Sequence, residues 1–517
     1  MTKYHNSIFR AANYLLCLLM GILLSGCGLF WPTPAPDTLI APQPIVEIIP
    51  TRTVGPTPTP RPTPTPVPTR TATPVPPSSM PAADLFLDAE WYRKTLLDIT
   101  DRWNSGLDGQ SGMGAYASDF NGCFHVALQR DWTQQRSFTT TSIAQSRAIY
   151  INVEAYRVAG PAEGQRFLQA VEKGVSCLLS YFWDPEYGGF YWEIQLNGAV
   201  TNAEKQGYGN VHPLMVLAQA YSVTKNPEHL RAALHQLRVI EEQFLDPEYP
   251  GGIRPGFNRD FSTIIGVNNV DTFTHYFEAL LALYDVTEGA DHEHIAALIK
   301  TAADFLINHL AHEQAGFPDR WYVAYNYDLQ WQPSQLPYTR EGQWTGALHS
   351  TPGHCVELAY LLSRAVERGF DPAWLDAAEK FINFTTANAF DPATGGMLYE
   401  ILDYDGQPLP GNPDNDKFIW WAQSESARMF LHFTVIHHKG YAQAFKNLEK
   451  LIHGPLTDPE YGGWYDWVQV GSLQPGGFDK GNIWKVNYHY TMFFVEVLRL
   501  AADYPTQVQA LNQSYTP

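Results

Sequence analysis

Cysteine is scarce in this sequence: the 517 residues include five, and no two of them form a CxxC pair. Such pairs are the usual signature of structural zinc sites, so we expect no metal in this protein. Cys17 falls in an N-terminal apolar segment, and the spacing of the other four, Cys27, Cys123, Cys177 and Cys355, indicates no disulfide framework. The sequence therefore predicts a fold held together by its hydrophobic core.

Basic residues are also few, since 34 Lys and Arg oppose 53 Asp and Glu and leave a net charge of −19. Nucleic-acid binding needs clustered Lys and Arg, so we expect no nucleic-acid partner. Aromatic residues, by contrast, make up 14% of the chain, with 15 Trp and 28 Tyr. Most of them belong in a core. The remainder would suit a cleft for sugars, because a flat apolar ring covers the C–H face of a pyranose.

The N-terminal apolar run, Tyr14–Leu24, is too short to span a bilayer comfortably and is typical of a signal-peptide core. It ends in Leu24-Ser25-Gly26-Cys27, which resembles a bacterial lipobox, where small residues admit the signal peptidase and the Cys thiol takes the lipid. We therefore predict a signal peptide over residues 1–26 and lipidation of Cys27. An uncleaved anchor is the alternative. Either interpretation places the folded part outside the cytoplasm and anchored to the cell membrane.

Proline and threonine dominate the next segment, in runs such as Pro56-Thr-Pro-Thr-Pro. Proline at this spacing favours an extended polyproline II conformation of ~3.1 Å per residue and cannot form a core. We interpret residues 27–82 as a linker that holds the folded domain away from the membrane. The repeats and motifs described below all lie after Pro81, so we expect the domain to begin near Ala83 and to fold without the linker.

A turn motif, in which an acidic residue or His is followed by one or two glycines, recurs about every 65 residues, with a longer insertion before the fifth copy. The copies begin at Asp119, Asp184, Asp246, His312, Asp391 and Asp458. Asp-Pro initiates turns and Gly supplies a positive φ, so we interpret these motifs as turns rather than metal sites. Paired segments of helical periodicity lie between them and predict six helical hairpins.

The predicted helices form pairs that include both ends of the domain. The pairs are Ser142–Ala159 with Ala162–Phe182, Val211–Thr224 with Glu228–Phe244, Asp271–Thr287 with Asp291–His309, Cys355–Arg368 with Pro372–Ala387, Gln423–His438 with Ala442–Ile452, and Tyr490–Ala502 with Ala83–Trp103. Closure into a ring gives both end helices a partner, whereas an open superhelix, the alternative, does not. We therefore predict an all-α fold, a single (α/α)6 barrel over residues 83–505, followed by a C-terminal tail over residues 506–517.

The first helix of each pair begins with polar and aromatic residues. Six such helices would line the barrel with their N-termini at one mouth, where the partial positive charge of helix ends favours anionic intermediates. Asp271, His275 and Glu278 are spaced by four and three residues and therefore share one helix face. The six segments are Ala144-Gln-Ser-Arg147, Lys205-Gln-Gly-Tyr208, His275-Tyr-Phe-Glu278-Ala279, Pro352-Gly-His354-Cys-Val-Glu357, Trp420-Trp421-Ala-Gln-Ser-Glu425 and Trp484-Lys-Val-Asn-Tyr488-His489.

These six segments, one per inner helix and in order, resemble motifs of the N-acylglucosamine 2-epimerase superfamily, which includes cellobiose 2-epimerases and aldose–ketose isomerases. The resemblance extends from Leu85 to Leu500 and implies an (α/α)6 barrel. It also implies a cofactor-independent sugar 2-epimerase or aldose–ketose isomerase, whose substrate is a reducing mono- or oligosaccharide.

Such an enzyme removes the proton from C2 of an open-chain sugar to give an enediolate, and a second group returns a proton from the opposite face. Imidazole suits both tasks, and the resemblance implies that His354 and His489 perform them. Glu357 could orient or tune His354, Arg147 could hold the developing oxyanion, and His275 could assist ring opening. The predicted substrate-binding residues are Tyr208, Asp271, Glu278, Trp421, Glu425 and Trp484.

Two positions depart from the family's pattern. Asp271 stands where cellobiose 2-epimerases usually have Asn, and His489-Tyr-Thr-Met stands where the family has His-Asn-x-Arg. These departures leave the preferred sugar open.

Two other functions are compatible with the sequence. A glycoside hydrolase or lyase on the same barrel would use Glu357, Glu425 and Asp271 as its carboxylates. A non-catalytic sugar-binding lipoprotein would bind a sugar tightly and exchange no proton at C2. The oligomeric state is left open by the sequence.

Overall fold

Helices dominate the structure, a computed structural model of the chain that describes residues 87–107, 109, 123–135, 137, 139–334, 349–391, 394–398 and 401–513. The predicted signal peptide, Cys27, the linker and the turn at Asp119 lie outside the described residues. Within those residues, no helix has the length and apolar character needed to cross a membrane.

Thirteen α-helices and twelve short strands occur in the described part of the chain. The helices are α1 (Ala89–Ser105), α2 (Ser142–Glu163), α3 (Gln165–Cys177), α4 (Tyr208–Thr224), α5 (Pro227–Val239), α6 (Val270–Tyr284), α7 (Gly289–Phe305), α8 (Pro352–Glu367), α9 (Trp374–Asn388), α10 (Trp420–Val435), α11 (Ala442–His453), α12 (Tyr488–Asp503) and α13 (Pro505–Gln513). The strands are β1 (Thr139–Thr141), β2 (Glu193–Gln195), β3 (Val200–Asn202), β4 (Lys205–Gln206), β5 (Gly256–Phe257), β6 (Asn268–Asn269), β7 (Ala311–Gln314), β8 (Phe317–Val323), β9 (Asn326–Tyr327), β10 (Lys417–Ile419), β11 (Trp467–Gln469) and β12 (Pro475–Gly476).

The even-numbered helices from α2 to α12 form a closed ring. Each packs against the next, and α12 returns to α2. Helices α3, α5, α7, α9 and α11 pack outside the helices that precede them, and α1 packs on α12. The predicted (α/α)6 barrel is therefore confirmed, including the pairing of the first and last helices. Helix α13 runs through most of the predicted tail and packs on α12.

Three outer helices end in the same way. Helices α3, α5 and α7 each pass into a single π-helical turn, at Leu178–Phe182, Ile240–Phe244 and Leu306–Leu310. The first and last residues of each turn are buried apolar side chains. Each of these helices therefore ends with two side chains in the core. This shared ending shows that the repeat predicted from the sequence extends to local geometry.

The Asp that begins the repeated turn is buried and holds the turn in place. Asp184 pairs with Lys205 at 3.1 Å and with Arg259 at 2.8 Å. Asp458, in the last repeat, makes two equivalent ion pairs. Gly188 adopts a positive φ of 76°, a conformation that glycine allows at little cost. The motifs at Asp184 and Asp458 are therefore structural turns, as predicted, and their charges are paired within the protein.

The strands guide the chain into the inner helices. Strands β1, β4, β6 and β10 end within one residue of the start of α2, α4, α6 and α10. They pair antiparallel in small sheets with the order β1-β2-β3, β4-β5, β6-β9 and β10-β11-β12, beside a separate β7-β8 hairpin. These sheets fix where the first turn of each of these helices lies, and the predicted site residues Tyr208, Asp271 and Trp421 occupy those first turns.

A disulfide joins Cys123 to Cys177, with Cα atoms 5.1 Å apart. The expectation that the cysteines form no disulfide is therefore wrong. The two residues are 54 positions apart in sequence, and the pairing of α3 with α2 brings the end of α3 beside the segment that precedes β1. Cys355 is a free, buried cysteine, and burial raises its pKa to about 11.

Replacing Cys123 and Cys177 by serine is expected to lower the free energy of unfolding by about 2–4 kcal/mol, because the cross-link restricts the unfolded chain. Urea denaturation of the two proteins measures the difference. A reductant should shift the wild-type midpoint towards that of the double variant and leave the variant unchanged. Equal midpoints for the oxidised wild type and the double variant would contradict the prediction.

Candidate active site

The predicted site residues occupy the beginnings of the inner helices. Trp484 lies in the loop that precedes α12. The others fall within the first nine residues of a helix, and they are Arg147, Tyr208, Asp271, His275, Glu278, His354, Glu357, Trp421, Glu425 and His489. Their contacts, described below, show that the structure brings them into one cluster.

His489 is a buried imidazole with one nitrogen committed to a carboxylate. Its Nδ1 donates to Glu425 Oε1 at 2.7 Å, and Glu425 also pairs with Arg428, three residues further along α10. Burial lowers the pKa of His489 well below its usual value, and the positive charge of Arg147 adds to the shift. A neutral ring that donates from Nδ1 carries its lone pair on Nε2, so His489 has the form of a general base.

His275 forms a second histidine–carboxylate pair, on α6. Its Nδ1 donates to Glu278 Oε2 at 2.9 Å, and the Tyr488 hydroxyl donates to the same oxygen at 2.7 Å. Burial lowers the pKa of His275, although the hydrogen bond with Glu278 opposes the shift. Burial would raise the pKa of Glu278, but His275, Arg428 and Tyr488 together outweigh it and lower the pKa. Glu278 is therefore ionised at neutral pH.

Glu357 lies between these two pairs. A carboxyl oxygen of Glu357 lies within 4.8 Å of a ring nitrogen of His275 and a carboxylate oxygen of Glu278. A carboxyl oxygen of Glu357 also lies within 4.8 Å of a carboxylate oxygen of Glu425 and a ring nitrogen of His489. Both oxygens are buried, and neither has a hydrogen-bond partner among the described residues. Burial raises the pKa of Glu357 well above its usual value, and the charges of Glu425 and Glu278 raise it further. Both effects favour the protonated form of this carboxyl group.

His354 has hydrogen-bond partners outside these two histidine–carboxylate pairs. Its Nδ1 hydrogen-bonds to Thr351 Oγ1 at 2.6 Å, and its Nε2 pairs with Asp271 Oδ1. The expectation that Glu357 orients this ring is therefore wrong, even though the two residues are one helical turn apart. Both nitrogens of His354 are already engaged by Thr351 and Asp271, and Glu357 instead faces the two buried histidine–carboxylate pairs.

Asp271 is ionised and partly open to solvent. Its second oxygen accepts a hydrogen bond from the Tyr325 hydroxyl. Burial would raise the pKa of Asp271, but the interaction with His354 and the hydrogen bond from Tyr325 lower it below the usual value. Its side chain is 24% exposed, and it is the most exposed carboxylate of the cluster.

Trp421 lies against both of the predicted acid–base histidines. Its ring centroid is 5.0 Å from that of His354 and 5.7 Å from that of His489. Gly353, which precedes His354, makes this contact possible, since a Cβ atom at that position would collide with the Trp421 ring. The two histidines therefore lie against one indole ring, which places both of them beside the same part of the site.

Arg147, Tyr208 and Trp484 form another side of the site. The guanidinium donates to the Tyr208 hydroxyl at 2.7 Å and to the backbone oxygen of Trp484 at 2.5 Å. The Trp484 ring lies 6.4 Å from that of Tyr208 and 6.2 Å from that of Trp192. Both Tyr208 and Trp484 are partly exposed. This arrangement places a fixed positive charge beside aromatic surfaces that a sugar ring can cover.

Sequence reasoning did not assign roles to several residues of the cluster. Arg428 lies three positions after Glu425, a spacing that itself indicates an ion pair on a helix. His212 lies one turn after Tyr208, and its ring is 4.4 Å from that of His275, with no hydrogen-bond partner among the described residues. Tyr325 comes from a loop, and no sequence signal links it to the site. The residues missed are His212, Tyr325, Thr351, Arg428 and Tyr488.

Two overlapping groups of the described residues have the spacing of a cation site. They are His275, Glu278 and Glu357, and Glu357, Glu425 and His489. Carboxylate and imidazole donors suit several divalent ions. Within the protein, however, the charge of Arg428 compensates one of the three carboxylates, and burial raises the pKa of Glu357. The same donor set is therefore equipped to hold and move protons.

The fold and the site together define a class of protein. A closed (α/α)6 barrel presents buried histidine–carboxylate pairs, an arginine and tryptophan rings at one cluster of helix starts. Such a cluster suits an enzyme that transfers protons on a small polar substrate.

The chain belongs to the N-acylglucosamine 2-epimerase family. The family model described as N-acylglucosamine 2-epimerase (GlcNAc 2-epimerase) matches residues 122–489, which include every predicted site residue of the barrel. The protein is therefore an isomerase of the carbohydrate-epimerising kind, and the family predicted from the six motifs is confirmed.

Relatives and solved structures agree with this assignment. The cellobiose 2-epimerase of Bacteroides fragilis is 24% identical over 375 residues, which cover 69% of this chain and 87% of that protein. The D-mannose isomerase of Pseudomonas cannabina pv. alisalensis is 29% identical over 250 residues, which cover 46% of this chain and 56% of that protein. The structure of cellobiose 2-epimerase from Bacillus thermoamylovorans has the same fold, with a TM-score of 0.64, 20% identity, and coverage of 78% of this chain and 99% of that one.

Proposed function

We propose that the protein is a cofactor-independent sugar 2-epimerase or aldose–ketose isomerase, which acts on a reducing mono- or oligosaccharide by proton transfer between two histidines. The observation that carries this proposal is the position of His354 and His489 against the same Trp421 ring. The two rings differ in their partners, since His489 is held by Glu425 and His354 by Asp271. Two imidazoles with different protonation partners supply a base and an acid at neutral pH.

The reaction begins with the open-chain aldehyde. Nε2 of His489 removes the proton from C2, the C–H electrons form the C1–C2 double bond, and the carbonyl electrons move to O1 to give an enediolate. Arg147 stabilises the developing negative charge on oxygen, because a fixed cation in a water-poor site favours the charged intermediate. His354 then returns a proton to the opposite face of C2 and the carbonyl group re-forms at C1, which gives the 2-epimer. Transfer of the O2 proton to O1, followed by protonation at C1 as the carbonyl group forms at C2, gives the ketose instead.

Incubation with reducing sugars tests the class of reaction. The panel includes glucose, mannose, cellobiose and N-acetylglucosamine, because relatives are named for cellobiose, mannose and N-acylglucosamine. NMR of the products distinguishes a 2-epimer from a ketose. Release of reducing sugar from a glycoside, with no change to a free sugar, would favour the hydrolase. That alternative ranks second, because Glu357 and Glu425 are 1% and 0% exposed and Glu425 is engaged by His489 and Arg428.

We also propose that the protein is a lipoprotein outside the cytoplasm. The lipobox-like sequence ending in Cys27 supports this location. The disulfide between Cys123 and Cys177 supports it as well, because such bonds form and persist mainly in oxidising compartments.

The variant Cys27→Ala is expected to remain unprocessed and to incorporate no radiolabelled fatty acid, because the thiol is the proposed attachment point. Cys17→Ala, which removes the other cysteine of the N-terminal segment, provides the matched control and should be labelled like the wild type. Gel mobility and acyl labelling measure both effects. Undiminished labelling of Cys27→Ala would contradict the lipobox interpretation.

A further inference from the structure

Asp271 is both a departure from the cellobiose 2-epimerases that the chain resembles and a direct partner of His354. One of its oxygens pairs with Nε2 of His354, and the other accepts the Tyr325 hydroxyl. The first contact joins α6 to α8, and the second joins α6 to the loop between β8 and β9. An asparagine at this position would keep the shape of the side chain but would remove its charge.

The other titratable groups around His354 are already committed. Glu425 of α10 is held by His489 and Arg428, and Glu357, on the same helix as His354, faces the two histidine–carboxylate pairs and has a raised pKa. His275 of α6 is paired with Glu278. The Tyr325 ring lies 6.0 Å from that of His354, and its hydroxyl points to Asp271. Asp271 is thus the ionised carboxylate in direct contact with a nitrogen of His354.

We propose that Asp271 is a positioning residue that retains the proton on Nε2 of His354, and that it thereby fixes His354 as the acid and His489 as the base of the substrate-free enzyme. This inference rests on the proposed function. A carboxylate at a ring nitrogen stabilises the imidazolium form, because opposite charges in a water-poor site attract strongly. Asp271 can stabilise the imidazolium at neutral pH, because its own pKa is lowered and it is therefore ionised there.

The proton balance of one turnover follows from this assignment. His489 gains the proton from C2, and His354 loses the Nε2 proton to C2 and keeps the N–H electron pair. The enzyme therefore ends the step with the same number of protons, now on His489 instead of His354. Asp271 remains a carboxylate throughout the step. Its side chain is partly exposed, so it can accept a hydrogen bond from a hydroxyl group of the sugar once His354 is neutral.

The test compares the full-length wild type with Asp271→Asn across pH, with deuterium incorporation at C2 of the sugar that the wild type turns over as the readout. An acid must be protonated to act, so activity falls on the alkaline side as the pair loses its proton. Without the carboxylate that proton is lost at lower pH. We therefore expect the alkaline limb of kcat/KM to move to lower pH by about one to three units. Tyr325→Phe, which removes a hydrogen bond but keeps the charge of Asp271, should leave the alkaline limb close to its wild-type position.

Asp285→Asn provides the matched control. Asp285 lies at the other end of α6, where it pairs with Arg368 and is 46% exposed, so the substitution removes the same charge far from the site. Its pH profile should match that of the wild type. An Asp271→Asn enzyme with an unchanged alkaline limb and only a higher KM would overturn the inference and leave Asp271 as a sugar ligand. A wild type with no exchange at C2 of any sugar would instead contradict the proposed function itself.

Discussion

Replacing His489 by alanine is expected to reduce kcat/KM for epimerisation by about 10²–10⁴, because one general acid–base group contributes that much to a proton transfer. In this variant the buried carboxylates of Glu425 and Glu278 remain paired with Arg428 and His275, so neither is free to replace the ring. His354→Ala should cause a loss of similar size. Initial rates with both epimers, followed by NMR, measure the effect.

The two variants should differ in the exchange that survives. Because His354 and His489 act on opposite faces of C2, the enzyme that lacks one of them should still exchange the C2 proton of a single epimer with solvent. The other variant should exchange only the opposite epimer. His294→Ala, at a surface position where the side chain is 52% exposed, is the control and should match the wild type. Wild-type exchange in both site variants, with turnover abolished by Glu357→Gln and Glu425→Gln, would favour the hydrolase.

Arg428→Met is expected to lower the free energy of unfolding by about 3–5 kcal/mol, the usual cost of leaving a buried charge without its partner. Arg428 pairs with Glu425 on α10, and its guanidinium lies 4.1 Å from the centre of the Tyr360 ring. Its charge opposes the effect of burial on Glu425, and it also acts on Glu278 and Glu357. Urea denaturation measures the loss.

A second substitution separates charge from packing. Adding Glu425→Gln to Arg428→Met removes the unpaired carboxylate, so the double variant should recover part of the stability lost in the single one. Arg166→Met, which breaks an exposed ion pair with Asp101, should change stability by about 1 kcal/mol or less. If Arg428→Met behaved like Arg166→Met, the buried cluster would not depend on this cation.

The fold could be predicted from the sequence because every repeat carries the same two signals. Helical periodicity gave the paired helices, and the Asp and Gly turns marked where each pair ends. The predicted helix Glu228–Phe244, for example, ends where the π turn after α5 ends. Ring closure followed from the unpartnered helices at the two ends of the domain. The disulfide could not be predicted in the same way, because spacing along the chain does not reveal which distant cysteines the hairpins bring together.

The sequence predicts which residues form the site, but it does not predict which of them contact one another. Motifs at the helix starts identified His275, His354, Glu357 and His489, and spacing suggested that Glu357 serves His354. The structure instead pairs His354 with Asp271 from α6. Sequence spacing reports neighbours on one helix, whereas the contacts that set protonation run between helices and from loops. For the same reason Tyr325 was not anticipated.

The most direct test of the central claim is NMR of reducing sugars incubated with the purified protein in D2O. The two-histidine mechanism predicts that deuterium enters C2 of at least one sugar and that its 2-epimer or the corresponding ketose accumulates. Because the proton passes through groups of the protein alone, EDTA should not change the rate. A panel in which every sugar keeps its C2 proton, while a glycoside releases reducing sugar in an EDTA-insensitive reaction, would contradict the account.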